Sequence, residues 1–181
     1  GIYNPEIKEW IDIVHDAGGL CFYDHANFNG VMGKIRAREL GFDACMYMLH
    51  KTFGAPKGGG GPAVGAYGCS EELARFLPTP VVTFDGKNYH LDFNRPDCGC
   101  KVREFWGNVP QVVKAYSWAR CMGSQGLDEG SNLSVLANNY MEKRILKIRG
   151  ITKSHPHKTQ RRMEMTRYSL EKLREDTGVG S

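Results

Sequence analysis

Residues 47–61 read YMLHKTFGAPKGGGG, and this stretch decides the fold. The apolar run Ala44 to Leu49 predicts a strand that ends on His50 and Lys51 and continues into a loop with four consecutive glycines, Gly58 to Gly61. Lysines at strand ends are most often solvated. Such a lysine becomes a nucleophile where partial burial frees its lone pair to form a Schiff base with a carbonyl. The glycines offer many backbone conformations and bare amide groups, which favours close approach of the backbone to a ligand over a merely flexible turn. They do not form a nucleotide P-loop, because the closing Gly-Lys-Ser/Thr is absent.

Working outward, the run Leu20 to Tyr23 predicts a second strand, closed by Asp24, with a short helix over Lys34 to Leu40 between the two strands. Strand, helix and strand in this order form a right-handed crossover with parallel strands. Asp24 and Lys51 then share the carboxyl ends of the strands, where open α/β sheets hold their ligands. On its own, Asp24 reads equally well as a cap or turn residue. Together, the carboxylate and the amine are the pair that a pyridoxal phosphate site requires. The lysine carries the aldehyde, and the carboxylate keeps the pyridine nitrogen protonated so that the ring accepts electrons.

Several segments extend the pattern: NPEIKEWIDIVHDAGGL, YDHANFNG, LHKTFGAPKGGGGPAVGAYG, LARFLPTPVV, FNRP and RYSLEKLREDTGVG. In these the chain resembles, nearly throughout and in order, the second, lysine-bearing half of glycine decarboxylase. That family is the pyridoxal-phosphate P-protein of the glycine cleavage system, and the likeness is to its separate second-subunit form. The resemblance implies an α/β fold. Residues 1–107 would be the second half of a large cofactor-binding domain of the aspartate-aminotransferase-like type (fold type I). Residues 108–181 would be linking helices and part of a smaller α+β domain.

The resemblance also implies a site. Lys51 is its catalytic residue and binds pyridoxal 5'-phosphate together with Asp24, Ala26, which packs on the cofactor, His50 near the phosphate, and the Thr52 hydroxyl. Asn27, the Gly58, Gly59, Gly60 and Gly61 loop, and Arg95 would line the pocket, with Arg95 placed to hold a substrate carboxylate. Three residues before the lysine the family usually has a small polar residue. Here it is Met48, a poor donor, which leaves one polar contact unaccounted for. His25 is assigned no chemistry. The implied activity is decarboxylation of glycine with transfer of the aminomethyl group to the lipoyl arm of a carrier protein, the H-protein. The implied partner is the complementary N-terminal half or first subunit. Two alternatives remain open: another fold type I pyridoxal enzyme, such as an aminotransferase or decarboxylase, or a catalytically inactive remnant subunit.

Composition agrees with a globular chain. A length of 181 residues supports a respectable core, and a formal charge of +4 is modest, with its only dense basic cluster near Lys158 to Arg162. The basic residues are not interleaved with aromatics in any nucleic-acid-binding pattern. No apolar run approaches the ~20 residues that span a bilayer, and there is no secretory pattern at the start, so the expectation is a cytoplasmic protein. The chain begins at Gly1 and nothing in it matches the family's first half, which predicts a fragment or one piece of a split subunit. The six cysteines lack paired CxxC spacing, so the expectation is buried free thiols and no metal site.

The remaining segments predict a helix over Pro5 to Ala17 capped by Asn4, and a further strand from Pro62 to Cys69 beside the lysine strand. A short helix follows over Ser70 to Phe76. A hairpin of Val81–Phe84 and Tyr89–Phe93 turns at Asp85-Gly86. Helices are expected over Asn108 to Met122, Leu127 to Ile148 and Arg162 to Arg174, with a polar connection over Ile151 to Gln160. His15 is read as a surface or C-terminal dipole residue.

Overall fold

The computed structural model describes residues 4–61, 63–101 and 107–179. The chain divides into two compact units, residues 8–27 with 36–121, and residues 1–7 with 28–35 and 122–181.

The first unit carries the predicted crossover. Helix α1 (Ile7–Asp16) buries Ile11 at 2% exposure and ends at Gly18, whose positive φ of 75° lets its N–H reach the His15 carbonyl at 2.8 Å. Strand β1 (Phe22–His25) lies parallel to β2 (Ala44–Met48), with Asp24 level with Met46 and His25 level with Tyr47. The short helix α2 (Ala37–Leu40) lies between them in the chain, capped by Gly41 at φ 100°. At Gly41 a Cβ would lie 3.1 Å from the Ile11 side chain. Strand β3 (Gly65–Cys69) pairs antiparallel with β2, as expected of the strand after the glycine loop. Pro62, where that strand was expected to begin, lies outside the described residues.

Two expectations about β1 are corrected. The strand starts at Phe22 rather than Leu20, which is 64% exposed. The unalternating apolar run predicts burial on both faces, but one face presents Phe22, Asp24 and Tyr67, all exposed. The described sheet here has three strands, and on that face Met46, level with Asp24 and Tyr67, is buried while its neighbours stay exposed. The opposite face is packed. Phe42, Tyr23, His25 and Tyr47 stack in succession with centroid spacings of 4.4, 3.7 and 4.9 Å, and Tyr47 meets Phe53 and Phe53 meets Trp118 edge-on. Beside this ladder, Leu49, Ala55 and Ala115 form the core, with Tyr47, Phe53 and Val64 against it. Burying a side chain such as Leu49 contributes roughly 1.5–3 kcal/mol.

Further on, α3 (Glu71–Ala74) leads to the hairpin of β4 (Val81–Phe84) and β5 (Tyr89–Asp92). The Asp85 carboxylate fixes its turn by accepting from the backbone N–H of Lys87 and Asn88, each at 2.8 Å. A long helical stretch, α4 (Val109–Ile145), is broken at Gly123, whose φ of 63° and ψ of 177° are not helical. The expected gap over 123–126 therefore shrinks to one residue. The expected thiol burial is also corrected: Cys69, Cys100 and Cys121 are exposed and Cys21, Cys45 and Cys98 are only partly covered.

The second unit contains the rest of α4, a two-residue pair β6 (Thr152–Lys153) with β7 (Tyr168–Ser169), and α5 (Glu171–Thr177), capped by Gly178. The helix expected over Arg162 to Arg174 is not formed before Glu171. The cause is tertiary capture of the backbone. Asn139 donates to the Arg162 carbonyl at 2.7 Å and Asn138 to the Met163 carbonyl at 2.9 Å, while the buried Arg162 side chain donates to Ser154 O at 2.9 Å. These bonds take carbonyls that a helix would use. Nearby, Lys153 and Glu142 pair at 3.1 Å, both largely buried. Burial pulls the Glu142 carboxyl upward, but hydrogen bonds from Thr166 and Lys153 outweigh it and hold the group below the usual carboxylate range. Among the described residues no helix is long and apolar enough to cross a membrane.

Candidate functional site

The carboxyl ends of β1 and β2 gather most of the residues that the sequence singles out. Beyond Met48 the chain turns back on itself: Lys51 N–H donates to the Met48 carbonyl at 3.1 Å, and Ala55 N–H donates to the Leu49 carbonyl at 3.0 Å. Residues 49–55 thus form a closed turn. Its feet, Leu49 and Ala55, are in the core at 9% and 3% exposure, and Thr52 is buried at 7%. Lys51 is at the exposed tip. Gly54 is required in this turn, because its φ is 71° and a Cβ would lie 3.2 Å from the Trp118 ring. The turn is anchored in the core at its base, and the lysine is exposed at its tip. The partial burial that would activate the amine is not supplied by the described residues.

Asp24 is on the adjacent parallel strand, exposed, near its end. Its Oδ1 accepts from the Ala26 N–H at 2.7 Å, an Asx turn that fixes the carboxylate and ends the strand. The turn reading and the ligand reading of Asp24 are therefore compatible: one oxygen holds the loop. Ala26 is half-buried and Asn27 exposed just beyond. His50 is half-buried, with Nδ1 3.3 Å from the Val64 carbonyl, so its ring lies against the residue that immediately precedes β3.

The glycine loop explains its own composition. Gly58, Gly59 and Gly60 have φ values of 61°, 66° and 103°, a succession that side-chain-bearing residues rarely adopt. Gly61 has an ordinary φ, but a Cβ there would lie 3.2 Å from the Gly58 carbonyl. All four are exposed. Arg95, in contrast, is engaged in its own loop. It donates to the Ala74 carbonyl at 2.5 Å and is 4.0 Å from Asp92, with its side chain 21% exposed.

Sequence reasoning missed His25. It is 2% exposed and stacked between the rings of Tyr23 and Tyr47. Burial lowers its pKa, and the neighbouring Asp24 charge only partly restores it, so the imidazole is neutral at physiological pH. Tyr47 is pushed up to about 12 by burial and by its contact with Cys45. The available signal was alternation: Tyr23 and His25 share a strand face with Cys45 and Tyr47.

The donor set suits pyridoxal phosphate. An accessible amine, a carboxylate on the neighbouring parallel strand, a hydroxyl, an imidazole and a run of open glycine amides occupy one end of a strand pair. These are the functional groups that an aldehyde, a pyridine nitrogen and a phosphate would engage.

Comparison with known proteins gives a consistent result. No family model matches the chain. The chain is 44% identical over 181 residues to a probable glycine dehydrogenase (decarboxylating) subunit 2 of Pyrococcus horikoshii, covering 99% of this chain and 36% of that protein. A protein of the same name from Treponema denticola is 42% identical over 183 residues, covering 100% of this chain and 36% of the relative. The chain thus spans about a third of the length of these relatives. Among solved structures, it is similar to a glycine decarboxylase (P-protein) of the glycine cleavage system in inhibitor-bound form, with a TM-score of 0.65 at 20% identity over 80% of this chain and 35% of that one. Mouse CSAD in apo form gives a TM-score of 0.51 at 19% identity over 84% of this chain and 31% of that one. The fold is therefore part of the fold type I α/β domain expected from the sequence.

Proposed function

We infer that this chain, a relative over its whole length of about one third of glycine dehydrogenase (decarboxylating) subunit 2, supplies the lysine-bearing part of an enzyme that decarboxylates glycine. The observation that carries the reading is the pairing of Asp24 and the Lys51 turn at the carboxyl ends of two adjacent parallel strands. On this reading residues 1–107 complete a cofactor-binding domain and residues 108–181 lead into a smaller one.

Pyridoxal phosphate, when bound, supplies an aldehyde that captures amines and a ring that accepts electrons. The chain's residues do the rest. Lys51 Nζ would hold the cofactor through its aldehyde and, once the amine of glycine had taken its place, would be free to move a proton. Asp24, with one oxygen fixed by the Ala26 N–H, holds the proton on the ring nitrogen. Ala26, small and half-buried, leaves room for a flat ring. His50, Thr52 and the amides of Gly58 to Gly61 bind the phosphate, while Asn27 and Arg95 border the pocket. Lys51 is exposed in this chain, so the cover that excludes water and activates its amine comes from the complementary half or first subunit. The aminomethyl group left after loss of carbon dioxide passes to the lipoyl arm of the carrier protein. A cytoplasmic location fits this partner set.

The test is borohydride reduction of the protein with pyridoxal phosphate and the complementary subunit, followed by peptide mapping. Label on Lys51, with glycine-dependent bicarbonate exchange in the presence of the lipoyl carrier, supports the reading. Label on another lysine, or none, refutes the assignment.

A further inference from the structure

A second group of reactive side chains lies at the other end of the same strand pair. His15 is in the last turn of α1, Cys21 immediately precedes β1, and Asp43 immediately precedes β2. The His15 Nε2, Cys21 Sγ and an Asp43 oxygen all lie within 4.8 Å of one another. His15 Nε2 is 2.9 Å from Asp43 Oδ2, with the two side chains 35% and 20% exposed. The glycine decarboxylation reading uses none of these residues.

We propose that His15, Cys21 and Asp43 form a three-ligand site for a divalent transition-metal ion of the zinc class. The donor set is one imidazole nitrogen, one thiolate and one carboxylate oxygen, a borderline mixture that suits zinc rather than magnesium or calcium, which take oxygen ligands. In a tetrahedral site with metal–ligand bonds of about 2.0–2.3 Å, donors are separated by about 3.3–3.8 Å. The observed triangle, with one edge of 2.9 Å and none above 4.8 Å, brackets that spacing.

The backbone holds the ligands in place. Asp43 N–H donates to the Cys21 carbonyl at 2.9 Å and Ala44 N–H to the same carbonyl at 3.3 Å, while the Asp43 carbonyl accepts from Ser70 N–H at 2.7 Å. Asp43 Oδ2 also accepts from the Cys21 N–H at 2.7 Å. The His15 turn is closed by Gly18 N–H to His15 O and Gly19 N–H to Val14 O, at 2.8 and 2.9 Å. Ligand positions set by main-chain bonds cost little further ordering on binding. On binding, Cys21 loses its thiol proton to solvent, the ion takes the place of the His15–Asp43 hydrogen bond, and water fills the fourth position. The result is a clamp joining the end of α1 to the starts of β1 and β2.

Cobalt(II) titration of the purified, reduced and chelator-stripped protein tests this. A thiolate-to-cobalt charge-transfer band with tetrahedral visible bands, saturating at one equivalent and displaced by zinc, is the expected result. Cys21→Ser is expected to remove the charge-transfer band. His15→Gln, at a partly exposed helix position, is expected to weaken binding by at least about tenfold while the protein stays folded. The proposal is overturned if the native protein shows no saturable band. It is also overturned if the full band persists in Cys21→Ser, which would place the ion on Cys98, Cys100 or another exposed thiol. Should Cys21→Ser fail to fold, His15→Gln decides, and unchanged affinity there overturns the site.

Discussion

The two ends of the β1–β2 pair hold similar kinds of side chain in opposite settings. At the amino ends, His15 and Asp43 bond to each other and Asp43 also binds the Cys21 backbone, so the polar groups satisfy one another and tie three elements together. At the carboxyl ends, Asp24 and Lys51 are exposed; Asp24 Oδ1 accepts from the Ala26 N–H, and the Lys51 backbone N–H donates to the Met48 carbonyl. The difference separates a clamp from a reaction site. Groups that answer each other tie elements of the fold together, and the proposed ion would tighten that same tie, whereas groups exposed on an anchored base are open to a substrate. If this holds, substitutions at the two ends should fail in different ways.

The largest effect is expected at Lys51. Lys51→Ala should abolish cofactor labelling and glycine-dependent exchange, with unfolding unchanged within about 0.5 kcal/mol as for any exposed tip residue. A destabilised variant would show that the tip also supports the fold and would erase the contrast. Next is Asp24→Asn, which keeps an oxygen to accept from the Ala26 N–H but loses the charge that holds a proton on the ring nitrogen. A fall of about a hundredfold in turnover, with Lys51 still labelled, is expected in steady-state and labelling assays. Full turnover in this variant would reduce Asp24 to a turn residue.

A matched pair of core substitutions sharpens the comparison. Leu49→Ala and Ile11→Ala each remove a buried aliphatic side chain and should each cost about 2–3 kcal/mol in urea unfolding. Leu49 anchors a foot of the Lys51 turn, whereas Ile11 packs under α1 near Gly41. Leu49→Ala should therefore slow Lys51 labelling by about tenfold in the folded protein, through loss of positioning, while Ile11→Ala should not. Equal labelling rates would mean that the turn does not depend on its base.

The same contrast explains what was legible in the sequence. The carboxyl-end site reads from contiguous motifs, because strand, turn and glycine loop follow one another from Ala44 to Gly61, and a crossover of this length fixes Asp24 beside them. The Asp85-Gly86 hairpin and the antiparallel β3 were legible for the same reason. The amino-end cluster was not, since Asp43 is 28 residues from His15 and 22 from Cys21 and no spacing rule relates them. Nor was the loss of helix before Glu171, where Asn138 and Asn139 reach across 25 and 23 residues to take backbone carbonyls. Buried His25 was hidden because a histidine after an aspartate at a strand end looks solvated until its cross-strand partner Tyr47 is known.

The smallest effect separates the two ends by pH. The Asp43 carboxyl is held below the usual carboxylate range first by the Cys21 N–H and then by the His15 imidazole, against burial that would raise it. A carboxyl with a depressed folded pKa adds stability above its unfolded value of about 3.9, and that stability is lost as pH falls through the folded pKa. Asp43→Asn keeps the shape and one acceptor but not the charge, so it should cost about 1 kcal/mol at neutral pH with chelator present. The gap between native protein and variant should then narrow as the pH drops below about 4. Urea midpoints at pH ~7 and ~3 measure this. A gap of equal size at both would mean that Asp43 acts by shape alone, and that the amino end is held by packing rather than by its charge.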